Sequence, residues 1–214
     1  MLMTHALRLT VLLLLIGVAP GLAWPGLVWG VSIGQRDTFE DGTTNSWIGT
    51  NIGTDGPLGV DDNFLRIQGG ASPILTINGT QWTGNYLAAG IDGIALDVKN
   101  LGTTDLSLRL VFSDAGGNVA FSTVPFFLPV GRGWIPIFLP ATAGALTAGS
   151  GTVTAALLNT TTLRLEAAFT LGPDAALGID NITATPEPAS MVLLGSGLLA
   201  LYSLKTWRGR KPRA

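Results

Sequence analysis

The sequence predicts an all-β fold, an antiparallel two-sheet sandwich with an apolar helix at each end of the chain. Three observations predict it. Gly is frequent and charged residues make up only 12% of the 214. Short β-prone runs alternate with turn signals, as in sandwiches. No helical periodicity of useful length occurs between the two ends. We count roughly eight to ten strand-like runs, enough for two sheets, and no repeat period that would indicate a solenoid or propeller.

The clearest strands are runs with an apolar residue at every second position. In the run 94–99, Ile94, Leu96 and Val98 fall on one face. Residues 114–118, Asp-Ala-Gly-Gly-Asn, are typical of a hairpin turn. The other predicted strands are 63–68, 74–77, 106–112, 119–124, 134–139, 163–169 and 176–184.

Two stretches of this region need a separate interpretation. Pro136 lies within the predicted strand 134–139. Because proline donates no ladder hydrogen bond, it places this strand at a sheet edge or at a bulge. The stretch 141–151 consists of small residues and is rich in glycine, so we predict a loop there.

Residues 185–214 form a separate C-terminal segment with three parts in order. Proline-rich residues 186–190 are followed by an apolar run to Leu204 and then by a basic tail. As a helix, the run 189–204 would span about 24 Å at ~1.5 Å per residue. That is slightly short for a bilayer core of about 30 Å, and the long basic side chains of the tail close the difference. The positive-inside rule keeps the tail cytoplasmic and places everything before the helix outside.

This segment resembles the PEP-CTERM sorting signal of bacterial exported proteins, which has the same three parts in the same order. The resemblance implies processing by an exosortase, a membrane-embedded cysteine peptidase or transpeptidase. It also implies a Gram-negative host that makes extracellular polysaccharide, and a product at the cell surface or in the biofilm matrix. A plain C-terminal anchor is the alternative. The residues of the predicted sorting motif are Pro186, Glu187, Pro188, Ala189 and Ser190.

The N-terminus has the features of a signal peptide for the Sec export machinery. Arg8 supplies positive charge, residues 9–18 are apolar, and Gly21-Leu22-Ala23 offers small residues at the cleavage positions. We predict cleavage after Ala23, and an uncleaved membrane helix is the alternative. The predicted organisation is a signal peptide at 1–23, a linker at 24–36, a sandwich domain at 37–184 and the sorting signal at 185–214.

Charge and composition exclude several functions. Residues 24–185 contain 13 acidic and 6 basic side chains, a net charge of −7, which argues against binding to nucleic-acid backbones. The chain has no Cys, and its one histidine, His5, lies in the predicted signal peptide. The domain therefore has no disulfide, no Ser-His-Asp or Cys-His catalysis, and no metal held by His or Cys. Carboxylates remain, either for a hard cation or as a glycosidase-like pair.

The middle of the chain also resembles jelly rolls of the carbohydrate-binding-module type. Residues 39–42, Phe-Glu-Asp-Gly, followed by Trp47, are similar to the opening strand, and residues 61–67 to the strand that follows. Residues 133–136, which include Trp134, are similar to a late strand that begins with a core tryptophan. Residues 177–182 are similar to the closing strand. The resemblance spans 37–185 and implies a jelly-roll-like sandwich with Trp47 and Trp134 buried.

The jelly-roll resemblance also implies a structural Ca²⁺. In such folds an acidic residue of the first strand lies beside one of the last strand, and together they hold the ion. Glu40 and Asp180 match these positions and Asp41 is adjacent, so we predict all three as calcium residues. The alternative is that Asp41 belongs to a solvated turn and that Asp180 faces water.

Two loops contain further candidate residues. Trp82 and Tyr86 lie in the polar loop 78–86, and we expect them to be exposed and to stack on sugar rings. Asp55, Asp61 and Asp62 lie in a glycine-rich loop. There we favour turn chemistry over a second ion or a ligand rim.

Three functions remain open at this point. The first is a non-enzymatic exported protein whose sandwich binds extracellular polysaccharide, and the second is a purely structural or adhesive matrix protein. The third is a glycan hydrolase that uses Glu166 with Asp97 or Asp105. That mechanism requires two carboxyl groups about 5–10 Å apart. Because Glu166 alternates with apolar residues, we expect it to face away from the core.

Overall fold

The computed structural model describes residues 30–70, 74–167 and 174–186. The predicted signal peptide, the predicted membrane helix 189–204 and residues 187–190 of the predicted sorting motif lie outside them. Within the described residues, no helix is both long and apolar enough to cross a membrane. The described strands are β1 (Arg36–Asp37), β2 (Asn51–Gly53), β3 (Phe64–Gln68), β4 (Leu75–Asn78), β5 (Gly93–Asn100), β6 (Leu106–Asp114), β7 (Val119–Ser122), β8 (Phe126–Leu128), β9 (Ile135–Pro140), β10 (Leu146–Ser150), β11 (Thr160–Ala167) and β12 (Ala176–Thr185).

These strands form two antiparallel sheets. The first sheet has the order β2–β3–β12–β5–β9, with β1 also paired to β12. The second has the order β10–β7–β6–β11–β4, with β8 also paired to β6. The last strand, β12, therefore lies in the middle of the first sheet, between β3 and β5. The predicted all-β, two-sheet sandwich is confirmed.

One hydrophobic core lies between the two sheets, because every second side chain of the long strands points inward. Burial of each such aliphatic side chain contributes about 1.5–3 kcal/mol to folding. From β6 and β11, the core receives Leu106, Leu108, Leu110, Phe112, Leu163, Leu165 and Ala167, none more than 3% exposed.

The period-two runs correctly predicted the long strands, and β9 is an edge strand as Pro136 indicated. The predicted loop at 141–151 is wrong in part, because β10 pairs there with β7. Its side chains are exposed after Leu146, so hydrophobic alternation could not reveal this edge strand. A short helix, α1 (Val153–Leu158), follows with Thr152 as its N-cap. At six residues it is too short to show a helical period.

Candidate functional site

Asp180 lies where β12 changes one of its neighbours. On that side β3 pairs with residues 176–179 and β1 with residues 182–183. A bulge between Asp180 and Thr183 accommodates the change, and Asn181 has a left-handed φ of 54°, a conformation that asparagine tolerates better than most residues. Among the described strands, none pairs with Asp180 on that side, so its carboxylate faces a gap between β1 and β3.

Three carboxylates meet in this gap. Glu40 follows shortly after β1, and Asp62 shortly precedes β3. One carboxylate oxygen from each of Glu40, Asp62 and Asp180 lies within 4.8 Å of the others. Asp62 and Asp180 are buried, whereas Glu40 is exposed. We call Glu40, Asp62 and Asp180 the acidic cluster.

Among the described residues, no salt bridge involves a carboxylate of the acidic cluster. Burial is the main cause that raises the pKa of Asp180 to about 7, and the carboxylates of Asp62, Glu40 and Asp97 act in the same direction. The N–H of Asn181 donates to Asp180 Oδ1 at 2.6 Å and opposes that rise. The hydrogen bond with Asp62 is the main cause that raises the pKa of Glu40.

One oxygen of the acidic cluster has no partner. Asp180 is 1% exposed, and its Oδ2 atom is buried without a hydrogen bond to any described residue. A buried polar atom without a partner is costly and is usually explained by an ion or water. The donors are all carboxylate oxygens, which hard cations such as Ca²⁺ prefer. The acidic cluster therefore fits a hard cation in both charge and donor type.

Asp41 does not join Glu40 and Asp180. It is exposed, and its carboxylate accepts hydrogen bonds from the Thr43 N–H and hydroxyl, each at 2.9 Å. These bonds, first of all the one from the Thr43 N–H, lower the pKa of Asp41. Asp41, which we predicted as a calcium residue, therefore stands outside the acidic cluster, where its side chain closes a solvated turn.

Asp62 takes the third position instead, and sequence reasoning placed it only in a turn. That turn exists: Asp62 Oδ2 accepts the N–H of Leu58 at 2.6 Å, and its carbonyl accepts the N–H of Gly56 at 2.9 Å. The position of Asp62 just before β3 is the signal that could have identified it. That position indicates a neighbour of Asp180 only when the pairing of β3 with β12 is known.

The predicted exposure of Trp82 and Tyr86 is wrong, since both are 0% exposed. Trp82 Nε1 donates to Asp37 Oδ2 at 2.7 Å, and the Tyr86 hydroxyl donates to the Trp82 carbonyl at 2.9 Å. The Tyr86 ring packs edge-on against Phe112, with centroids 5.0 Å apart. Burial also raises the pKa of Tyr86. The two large rings of this loop enter the core, whereas Gly79 and Thr80 are exposed.

The jelly-roll resemblance implies that Trp47 and Trp134 lie in the core. Trp47 is buried, as expected, and its Nε1 donates to Asp37 Oδ2 at 2.8 Å. Trp134 is only half-buried and lies on the outer face of the first sheet. There it packs edge-on against Phe64 at 5.0 Å, and its Nε1 donates to the Asp55 carbonyl at 3.1 Å. Part of this outer face is thus covered by the chain itself.

The outer face of the second sheet carries a charged ladder that sequence reasoning missed. Glu166 Oε1 accepts from Arg109 Nε at 2.6 Å, and its Oε2 lies 2.7 Å from Arg164 Nε. The Arg109 guanidinium lies 5.0 Å from the centroid of the Phe121 ring. Cross-strand pairing explains the arrangement, because Glu166 is directly opposite Arg109. Two cations, one anion and an aromatic ring thus share one surface, which we call the ladder face.

The glycosidase pair is not formed. Glu166 faces outward from the second sheet, as expected, and Asp97 faces outward from the first, since Leu96 and Val98 on either side of it are in the core. Packed sheets lie about 10 Å apart, and these two side chains point away from each other. Asp105 lies four positions before Arg109 along the chain, about 13 Å at ~3.3 Å per residue. Neither arrangement places two carboxyl groups face to face across a cleft, which the mechanism requires at about 5–10 Å.

Without a cation, the protein is expected to be less stable at pH 8 than at pH 5. Because the pKa of Asp180 rises from 3.8 to about 7 on folding, the folded state holds this proton more tightly than the unfolded state. Stability therefore falls as pH rises from about 4 to about 7 and levels off above that. Melting temperatures in EDTA at the two pH values test this expectation. Asp180→Asn should reduce the difference, and a wild-type melting temperature that rises with pH would contradict the assignment.

Comparison with known proteins gives a family match at the C-terminus. A family model described as the PEP-CTERM protein-sorting motif matches residues 184–211. The chain therefore carries this sorting motif, which begins in the last two residues of β12 and indicates an exported, membrane-anchored precursor processed by an exosortase. A search of curated proteins found no match to this chain.

The solved structures similar to this chain include an agarase and two carbohydrate-binding modules. An exo-β-agarase is similar over 73% of this chain and 25% of its own, with a TM-score of 0.56 and 16% identity. This likeness shows the fold alone, and the chain spans about a quarter of the agarase. A family 11 carbohydrate-binding module from Clostridium thermocellum, in complex with a β-1,3-1,4-mixed-linked tetrasaccharide, has a TM-score of 0.47 and 13% identity, covering 73% of this chain and 98% of its own. The tandem CBM22 domains of Paenibacillus barcinonensis Xyn10C have a TM-score of 0.45 and 13% identity, covering 73% and 46%.

Proposed function

We propose that this chain is a non-enzymatic exported protein of the bacterial surface or biofilm matrix, and that its sandwich binds extracellular polysaccharide. The Sec machinery exports it, with cleavage after Ala23. An exosortase then processes it near Pro186, Glu187 and Pro188. The observation that carries this proposal is the position of the sorting motif, which starts where β12 ends. Because β12 is a central strand, a cut beyond Pro186 leaves the sandwich complete.

Expression of the full chain in a Gram-negative host, with and without an exosortase, tests the sorting part. Mass spectrometry of the product should show a C-terminus near residues 186–190 only when the exosortase is present. An intact tail in both strains would contradict processing and leave a plain anchor.

We further propose that the acidic cluster holds a structural Ca²⁺. Glu40, Asp62 and Asp180 would supply carboxylate oxygens, and the ion would supply positive charge. The role of the ion would be structural, because it would hold the end of β1 and the start of β3 against the middle of β12.

The ladder face is the surface that we propose for polysaccharide. Phe121 is half-buried and offers the part of its ring that Arg109 does not cover to the C–H side of a sugar ring, and the Arg164 guanidinium carries donors for hydroxyl or carboxylate groups. The first sheet is the weaker choice, because Trp134, Phe64 and the Asp55 backbone cover part of its outer face.

Phe121→Ala is expected to weaken polysaccharide binding by about 2- to 12-fold, since one aromatic contact contributes roughly 0.5–1.5 kcal/mol. Affinity electrophoresis of the processed protein through a panel of neutral and acidic polysaccharides measures the effect. Phe138→Ala is the matched control, because Phe138 is equally half-buried but belongs to β9 of the first sheet. Equal losses in both variants would place binding elsewhere, and retardation by no polysaccharide would favour a purely structural or adhesive role.

A further inference from the structure

The described chain reaches its last strand residue at one end of the sandwich, which we call the exit end. Thr185 is the last residue of β12, and its carbonyl accepts the N–H of Asp92 at 3.0 Å. The segment before β1 runs alongside, since the Gly34 N–H donates to the Ala184 carbonyl at 2.8 Å. The chain on both sides of the domain therefore passes through this end.

Three loops at the exit end contain no charged residue, and the charged residues Asp92 and Asp114 lie beside them. The loop 79–91 contacts the segment 151–159 through the Tyr86 N–H, which donates to the Leu157 carbonyl at 3.0 Å. The loop 141–145 joins them through the Ala141 N–H, which donates to the Asp92 carbonyl at 2.7 Å. Neither 79–91 nor 141–163 contains Asp, Glu, Lys or Arg.

Exposed aliphatic side chains project from the exit end. Ile33 is 53% exposed and Leu87 is 42% exposed. The two belong to one patch: the Gly90 N–H donates to the Leu87 carbonyl at 3.1 Å, and a Cβ built on Gly90 would lie 3.6 Å from Ile33 Cδ1. Neighbouring Ala88 and Gly90 are also exposed and apolar. The exposed aliphatic side chains of this patch suit a partly apolar environment, because contact with lipid removes their apolar surface from water.

The connection from the exit end to the predicted membrane segment is short. Only Pro186, Glu187 and Pro188 separate Thr185 from the apolar run that starts at Ala189. Four steps of at most ~3.8 Å between successive Cα atoms give a reach of at most about 15 Å. The headgroup region of one leaflet is itself about 5–7 Å thick. The exit end of an anchored chain therefore lies within reach of the lipid headgroups.

We propose that the exit end rests on the membrane surface in the anchored precursor, with Ile33 and Leu87 in contact with the lipid headgroup region. The short connection holds it there by keeping the local concentration of membrane surface high. This inference rests on the proposed function in one respect, since it requires the anchored precursor.

The absence of cysteine from the sequence allows a direct test with single-cysteine variants. The full-length precursor is purified from a host without exosortase and reconstituted into phosphatidylethanolamine–phosphatidylglycerol vesicles that contain a headgroup-proximal spin-labelled lipid. Ile33→Cys and Leu87→Cys carry an environment-sensitive fluorophore. Thr104→Cys is the control at the opposite end, because the eight residues of β5 separate the two ends by about 25 Å at ~3.3 Å per residue.

We expect at least twofold quenching at positions 33 and 87 and little at 104. Equal quenching at all three positions, or none at 33 and 87, would overturn the proposal. Insertion of twelve Gly and Ser residues between Thr185 and Pro186 should lower quenching at 33 and 87 to the level of 104, and unchanged quenching would refute the role of the short connection. Vesicle flotation separates the two failures: a precursor that does not float contradicts the anchored precursor, and one that floats without quenching contradicts only the docking.

Discussion

Replacement of Asp37 by leucine is expected to lower the free energy of unfolding by about 2–5 kcal/mol, because each buried indole N–H left without an acceptor costs about 1–3 kcal/mol. Asp37 is 7% exposed, and its Oδ2 atom accepts from Trp47 Nε1 at 2.8 Å and from Trp82 Nε1 at 2.7 Å. Leucine has the same branched shape and the same number of heavy atoms, although it is larger, and it has no acceptor. This residue is thus expected to fix both tryptophans and β1 to the core.

Urea unfolding followed by tryptophan fluorescence measures the effect of Asp37→Leu. In a domain of this size, the same loss lowers the melting temperature by about 2–4 °C per kcal/mol. Asp37→Asn is the matched control, since it retains one acceptor oxygen and almost the same shape. We expect it to lose less than half as much stability as the leucine variant. A leucine variant within 0.5 kcal/mol or so of the wild type would contradict this role, because surface substitutions typically stay within about that range.

The long strands were predictable because their side chains face two different environments. In β6 and β11 one face enters the core and the other faces outward, so the sequence alternates with period two. The strand β10 has no such contrast, since its residues after Leu146 are exposed. Its pairing with β7 depends on backbone hydrogen bonds, which composition does not reveal. The same reason explains why the very short strands β1, β2 and β8 were not predicted.

Only part of the candidate site could be predicted, namely the two residues whose positions match calcium-binding positions of the jelly rolls that the sequence resembles. Glu40 and Asp180 were named correctly as neighbours, because one follows the first strand and the other lies in the last. Asp41 and Asp62 could not be told apart in this way. Their roles depend on which way each loop turns, and that is decided by local hydrogen bonds such as those from Thr43 and Leu58.

Trp82 and Tyr86 show a second limit of sequence reasoning. A loop rich in Asn, Gly and Thr indicates solvent exposure on average, but large rings in such a loop also fill the end of a core. Here Asp37 lies on the interior side of the loop and accepts from Trp82. The ladder face was missed for the opposite reason, because Arg109, Glu166 and Phe121 are far apart in sequence and become neighbours only through strand register.

Calcium is expected to raise the melting temperature of the processed protein, and EDTA to lower it. At free Ca²⁺ about 100-fold above the dissociation constant, binding to the folded state alone contributes about 2.7 kcal/mol. In a domain of this size, that corresponds to about 5–10 °C. The physical reason is the acidic cluster, where a cation would neutralise Glu40, Asp62 and Asp180 and contact the unpaired Oδ2 of Asp180. Equal melting temperatures in EDTA and in millimolar Ca²⁺ would contradict this assignment.

Asp180→Asn separates a cation ligand from a merely structural carboxylate. The amide keeps an acceptor for the Asn181 N–H and removes a buried negative charge, so at pH 8 in EDTA the variant should be at least as stable as the wild type. In Ca²⁺ it should be less stable, because its response to the ion is lost. Asp41→Asn is the control and should keep the full response, since Asp41 bonds only within its own turn. A chain without cysteine has no disulfide to hold its first strand to its last, and a cation at this position would provide that link outside the cell.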